Sequence, residues 1–187
     1  MVGKRSDRRQ VPRQVDLCSE TLFRSRATSR LDVPGSAVND AELADRLAIR
    51  SVVEDYARFA DRIDNEGLAG LFAPDGVLRI FERGNPEPVR QRLGRGEISE
   101  AIKGLSRYEV TMHTVANHYV VLNGDVATGE TYCRATHIRP VEGGAPEARE
   151  NYVMNIRYLD DYVRLSEGWR IAKRELQVEF TEVFPIL

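Results

Sequence analysis

The chain has 187 residues, 42% of them hydrophobic, which is enough for one well-buried core and too little for two ordinary domains. Its 27 lysines and arginines against 29 acids leave a formal charge of -2, so the overall charge favours neither nucleic acid nor an anionic membrane as a partner. Two cysteines, Cys18 and Cys133, do not make the disulfide framework of a small secreted domain, and no apolar run approaches the roughly 18 residues of a membrane span; a cytoplasmic protein is expected.

Residues 1–38 hold eight Lys/Arg and four acids among scattered Ser and Pro, with no sustained apolar period. That composition predicts a disordered basic tail, either an arm for an acidic partner or a dispensable leader. From 39 to 187 a single folded domain is expected. Asn39 or Asp40 can cap a helix in which Leu43, Leu47, Ile49, Val52, Val53, Tyr56, Phe59, Ala60 and Ile63 recur at helical spacing. Asp61 and Asp64 close that helix. "DNEG" breaks it, "LAGLFA" predicts a short second helix, and "PDG" predicts a turn before a strand at "VLRIF". "GEISEAIKGLSRY" reads as a third helix, with Ile98, Ala101, Ile102 and Leu105 on one side.

Past residue 110 the texture is β. "HTVANHYVVL" and "VATGETYCRATHIRP" flank "NGD" and read as a hairpin, because Asn-Gly favours the positive backbone angles of tight hairpin turns. "ENYVMNIRYLDDYVRL" and "WRIAKRELQVEFTEV" supply two more strands about "SEG". Helices followed by an antiparallel meander predict an α+β domain whose curved sheet, packed by the helices on one face, encloses a cone with room for a small molecule.

The order "RLAIRSVVEDYARFADRID", "LAGLFAPDGV", the third helix, "MHTVANHYVVLNGDVATGETY" and "GWRIAKRE" resembles the SnoaL-like branch of the nuclear-transport-factor-2-like superfamily, over about residues 40–180. The resemblance implies a cone-shaped, mainly antiparallel sheet with three N-terminal helices, and a homodimer formed through the sheet. It implies a lyase, isomerase or cyclase active site, since the superfamily includes polyketide cyclases, ketosteroid isomerases and dehydratases; several of its members are not enzymes. On the same footing Asp61, late in the first helix, and His113, opening the "MHTVANH" strand, match a catalytic aspartate and histidine of the dehydratases. His137 in "ATHIRP" matches a second histidine, and Tyr56, five residues before Asp61, a tyrosine. Ala60 and Phe81 stand where scytalone dehydratase has tyrosines, which argues against scytalone itself as substrate.

The chemistry can be argued from residue types. Removing water from a β-hydroxy carbonyl compound requires a base for the carbon-bound proton and an acid for the departing hydroxide, and histidine serves both near neutral pH. A carboxylate bonded to one imidazole fixes its tautomer and stabilises its charge. Asp61 with His137 is the expected pair, His113 the expected acid, and Tyr56 or Tyr132 the expected donor to the carbonyl oxygen. Asn117, Phe72 and Phe81 are expected to line the substrate site. No metal or organic cofactor is required. For Asp61 an ion pair with Arg58 or Arg62 is the structural alternative, while His118, opposite in strand parity to His113, is expected to be structural, and Asp64 to cap the short helix.

Strand parity tests the histidine pairing. A two-residue Asn123-Gly124 loop would place His113 opposite Arg134 and turn His137 away; a three-residue loop with Asp125, or an equivalent bulge farther along, places His113 opposite Ala135 with His137 on the same face. The second arrangement is the expectation. The favoured function is a cofactor-independent dehydratase acting on a small apolar carbonyl compound of polyketide, steroid or terpenoid type. The alternatives are a cyclase or double-bond isomerase using the same groups, and a non-catalytic binding or assembly module with a filled cone.

Overall fold

The computed structural model describes residues 39–186, so the expected basic tail lies outside the described residues. Helix α1 (Asp40–Arg62) begins where extended Asn39 accepts a hydrogen bond from the Glu42 backbone N–H. Its apolar stripe buries Ile49, Val52, Val53, Tyr56 and Ala60. It stops at Ile63, whose φ of 54° lets its backbone N–H close onto the Ala60 carbonyl. Asp64 then caps α2 (Asn65–Gly70) by accepting the Gly67 N–H at 2.9 Å, the structural role its position suggested. Helix α3 (Gly94–Lys103) runs into a 3-10 turn at Gly104–Arg107 and buries Ile98 and Ile102.

Six strands form one sheet: β1 (Phe72–Glu82), β2 (Arg90–Leu93), β3 (Val110–Asn123), β4 (Val126–Pro140), β5 (Arg149–Leu165) and β6 (Gly168–Ile186), in the order β2-β1-β6-β5-β4-β3. Strands β3 to β6 are the antiparallel meander the alternation predicts, and β1 docks parallel to β6. Three local expectations fail: the second helix comes early, taking in Asn65-Glu66-Gly67 and leaving Phe72 and Ala73 to β1. "PDG" is not a turn before a strand but a register shift inside β1, between Phe72 and Val77, and the short β2 pairs antiparallel with β1 where no strand was expected. Further shifts between Val115 and His118, Asn155 and Ile156, and Asp161 and Tyr162 bend the long strands. The result is the α+β arrangement of a curved sheet with helices against one face. Ile49, Leu68, Phe72, Ile98 and Ile171 are wholly buried between them.

Two glycines are required by geometry. Gly124, at φ 62°, opens a two-residue Gly124-Asp125 hairpin between the paired Asn123 and Val126. The three-residue loop is therefore absent, but the bulge at Ala116-Asn117 restores the expected register: His113 faces Ala135. At Gly129 a side chain would meet the Tyr162 ring at 2.9 Å, so the glycine lets that ring lie over β4.

Candidate active site

The register of β3 and β4 builds the site. His113 sits opposite Ala135 and Thr111 opposite His137, so both histidines rise from the concave face at neighbouring positions. Their ring centroids are 5.7 Å apart and their planes nearly perpendicular. Strand β3 passes along α1 so that the last turn of the helix faces His113. Asp61 there accepts from His113 Nδ1 at 2.6 Å, from the His113 backbone N–H at 3.0 Å by both carboxylate oxygens, and from the Thr111 hydroxyl at 3.3 Å. Among the described residues no ion pair joins Asp61 to Arg58 or Arg62.

This corrects the expected pairing: Asp61 holds His113, not His137. The reason is that a backbone N–H and a ring nitrogen of the same residue converge on the carboxylate, whereas His137 lies one strand farther from α1. Burial, the strongest single influence, pushes the Asp61 carboxyl up, but the hydrogen bonds from the His113 ring, its backbone and Thr111 together hold it below the ordinary carboxylate value. It is therefore ionised and accepts from Nδ1 of His113, which makes Nε2 the ring nitrogen left for the cavity; no partner for Nε2 is found among the described residues.

His137 is nearly solvent-free and its Nδ1 donates to the Tyr152 carbonyl at 3.2 Å. Burial first, then the neighbouring His113, pushes its pKa down to about 4, so the ring is neutral at physiological pH and offers Nε2 as an acceptor. Tyr108 packs on the ring with centroids 4.4 Å apart.

Both histidines line a cavity of about 410 Å³. Tyr56, Ala60, Leu78, Ala135 and Tyr158 form its buried end, and Glu82, Val89, Arg90 and Arg107 its exposed mouth. Asp61 does not line it. The carboxylate lies behind His113, in an outer groove with Arg50, Arg58 and Arg62. Tyr56 reaches the cavity as expected, and burial raises its pKa, with the Arg174 charge working in the opposite direction; its hydroxyl keeps its proton.

The other expected lining residues are elsewhere. Tyr132 points to the outer face of the sheet, where Arg157 stacks 5.2 Å from its ring centroid, because neighbours of the inward Thr131 and Cys133 must point out. Asn117 is exposed at the bulge itself. Phe72 is wholly buried core against Tyr56, and Phe81 alternates outward between the lining residues Ile80 and Glu82. The same bulge reverses the parity of His118, which comes inward opposite buried Thr131 without reaching the cavity.

Behind the cavity sits a second charged pair. Arg174 meets Asp160 through two 2.8 Å bonds, Nε to Oδ1 and Nη2 to Oδ2, and both side chains are wholly buried. The guanidinium lies 4.1 Å from the Tyr56 ring centroid and 4.2 Å from that of Tyr158, and Tyr162 donates to Asp160 at 2.6 Å. Tyr56 is thus held by a cation on its face and by the edges of Phe72 and Tyr158.

The family model of the SnoaL-like domain matches residues 41–175, most of the chain. The protein belongs to the SnoaL-like family. Similar to this SnoaL-like chain is an uncharacterised Mycobacterium tuberculosis protein, 27% identical over 139 residues, covering 74% of this chain and 88% of that one. Among solved structures, a Kribbella flavida protein shares 25% identity at a TM-score of 0.65, covering 76% of this chain and 95% of its own. A provisionally named scytalone dehydratase of Novosphingobium aromaticivorans is 22% identical at a TM-score of 0.65, covering 79% and 93%. A hexachlorocyclohexane dehydrochlorinase of Novosphingobium barchaimii is 17% identical at 0.62, covering 76% and 91%. The last two likenesses are of fold.

Four residues of the SnoaL-like domain's cavity region escape a reading of the sequence. Tyr152 is placed by direct pairing with His137, a signal available once the β4–β5 register is known. Tyr108 closes the cavity from the end of the segment read as the third helix, where the helix has already stopped at Lys103 and a 3-10 turn leads into the extended Tyr108. Arg174 and Asp160 occupy inward strand positions where alternation predicts apolar side chains, and nothing local announces that they pair.

Proposed function

We propose that this SnoaL-like domain is a cofactor-independent lyase that removes water from a small, largely apolar carbonyl compound of polyketide, steroid or terpenoid type. The observation that carries this reading is the 2.6 Å Asp61–His113 bond, which leaves the His113 Nε2 lone pair beside a cavity of substrate size. Nε2 takes the proton from the carbon next to the substrate carbonyl, and the electron pair moves into an enolate. As the enolate collapses, the bond to the β-oxygen breaks and the His113 imidazolium returns the same proton to the departing hydroxide, releasing water. One histidine serves as base and then acid, and Asp61, whose hydrogen bonds among the described residues come only from His113 and Thr111, is a positioning residue.

His137, neutral and donating from Nδ1 to Tyr152, is assigned the substrate hydroxyl, which its Nε2 accepts. Tyr56 is assigned the carbonyl oxygen, donating more strongly as negative charge grows there. The dehydrochlorinase of similar fold supports the reading by its name, since loss of hydrogen chloride places the same demand on a base beside a leaving group. An open cavity also counts against a plugged assembly module.

The domain is further proposed to work in the cytoplasm as a homodimer. Exposed Tyr119, Val121, Tyr132 and Phe180 on the outer face of the sheet support the association, and a monomeric sedimentation profile at micromolar concentration would remove it. The enzymatic reading is tested by identifying a co-purifying ligand by mass spectrometry and following its turnover. Loss of one water, strongly slowed in His113→Ala, is the expected result. A product of unchanged mass would replace dehydration by isomerisation or cyclisation, and equal rates in the variant would remove the mechanism.

A further inference from the structure

The cavity mouth is cationic in a way the chemistry above does not use. Arg90, Arg107 and Arg139 line it together with one carboxylate, Glu82. Arg139 is neutralised by Glu150 at 2.7 Å and lies over the Tyr152 ring. Arg90 and Arg107 meet no carboxylate within ion-pair distance among the described residues. Three guanidinium groups against Glu82 and Glu150 leave a surplus of one positive charge, which suits a monoanion.

Arg107 is also aimed. Its Nη2 donates to the Tyr108 hydroxyl at 2.9 Å and its guanidinium sits 4.7 Å from the Tyr108 ring centroid, while that ring packs on His137. A side chain pinned at both its face and one nitrogen has lost its rotamer freedom before a ligand arrives, leaving its remaining donors directed without further ordering cost. It lines the cavity mouth, close enough for its charge to be felt at the His137 ring and at Tyr152. Between mouth and histidines the walls are apolar: Ile80, Ile102, Leu105 and Val178.

We propose that Arg107 and Arg90 form a carboxylate subsite, and that the substrate is amphipathic, an apolar body reaching His113 with a single carboxylate held at the mouth. This rests on the reading of the cavity as a substrate site, but not on the reaction carried out there.

The test uses the full chain and a matched pair of probes, 2-naphthylacetate and the uncharged 2-naphthylacetamide, with affinities from calorimetry at low salt. The carboxylate is expected to bind at least about tenfold more tightly than the amide, as a charge-assisted pair of hydrogen bonds provides. R90Q and R107Q together should bring the two probes to within about twofold, and added sodium chloride should shrink the preference in the unaltered protein. Asp61→Asn should keep the preference, because it lies behind His113. Equal binding of the two probes, binding of neither, or a preference that survives both substitutions would overturn the subsite. A retained preference alongside undiminished turnover in His113→Ala would leave the subsite standing and overturn the proposed reaction instead.

Discussion

Two aspartates of this domain each hold a nitrogen partner, and they differ in what can reach that partner. Asp160 and Arg174 are sealed: two 2.8 Å bonds, aromatic rings on the guanidinium faces and no exposure of either side chain. Asp61 and His113 are open: the carboxylate keeps about a quarter of its side-chain surface, and the ring keeps a free nitrogen toward the cavity. Both pairs fix geometry, but only the open one has an unused lone pair where a substrate can meet it. The contrast teaches that charge burial alone does not mark a catalytic group; an unsatisfied functional atom at a cavity wall does.

The contrast is broken most directly by substitution. His113→Ala should reduce turnover about 10²–10⁴-fold, the usual scale of a general acid-base group, while thermal melting changes little. Asp160→Asn or Arg174→Met should do the reverse, costing about 3–5 kcal/mol in urea unfolding because one charge is left buried without its partner. Replacing both by apolar residues of similar volume should recover much of that loss. If Asp160→Asn left stability unchanged, the pair would not be the structural element described.

The histidines sharpen it through pH. His137 has a folded value of about 4 against an ordinary 6.5, so the unfolded chain takes up a proton that the fold refuses. Its contribution to stability is complete above pH 6.5 and falls as the pH drops toward 4, by on the order of 3 kcal/mol. His118, also lowered chiefly by burial, adds to the same slope. Asp61 acts in a separate window: its carboxyl is lowered, so its contribution is present above 3.8 and disappears only on further acidification. His137→Gln should flatten urea-derived stability between these limits; an unaltered slope would contradict the buried neutral ring. The smallest effect expected is that of Tyr56→Phe, about tenfold in turnover for one hydrogen bond to developing charge, with near-native stability.

What the sequence makes legible is periodic. The α1 stripe and the meander follow from spacing and turn chemistry, whereas the shared facing of His113 and His137 also needs the bulge in β3. What it hides depends on neighbours from other elements. Asp61 lies in the last turn of α1, and its role is set by β3, which runs beside that turn and supplies the donors. The register was recoverable, but not the position of the bulge that carries it, so Asn117 and His118 exchange the faces that simple alternation assigns them. Tyr132 fails for a similar reason: parity places it outward, beside Arg157, although its residue type suits a donor. Arg174 and Asp160 lie 14 residues apart in sequence and are joined only by strand pairing, so each reads alone as a surface charge.

The central claim is that Asp61 fixes the tautomer of His113 so that Nε2 is bare toward the cavity. Nitrogen-15 NMR of the labelled protein in mildly alkaline buffer reads this directly, without a substrate. The account predicts a His113 ring protonated at Nδ1 and not at Nε2, becoming a mixture of tautomers in Asp61→Ala. A ring protonated at Nε2, or a tautomer indifferent to the loss of Asp61, would contradict it.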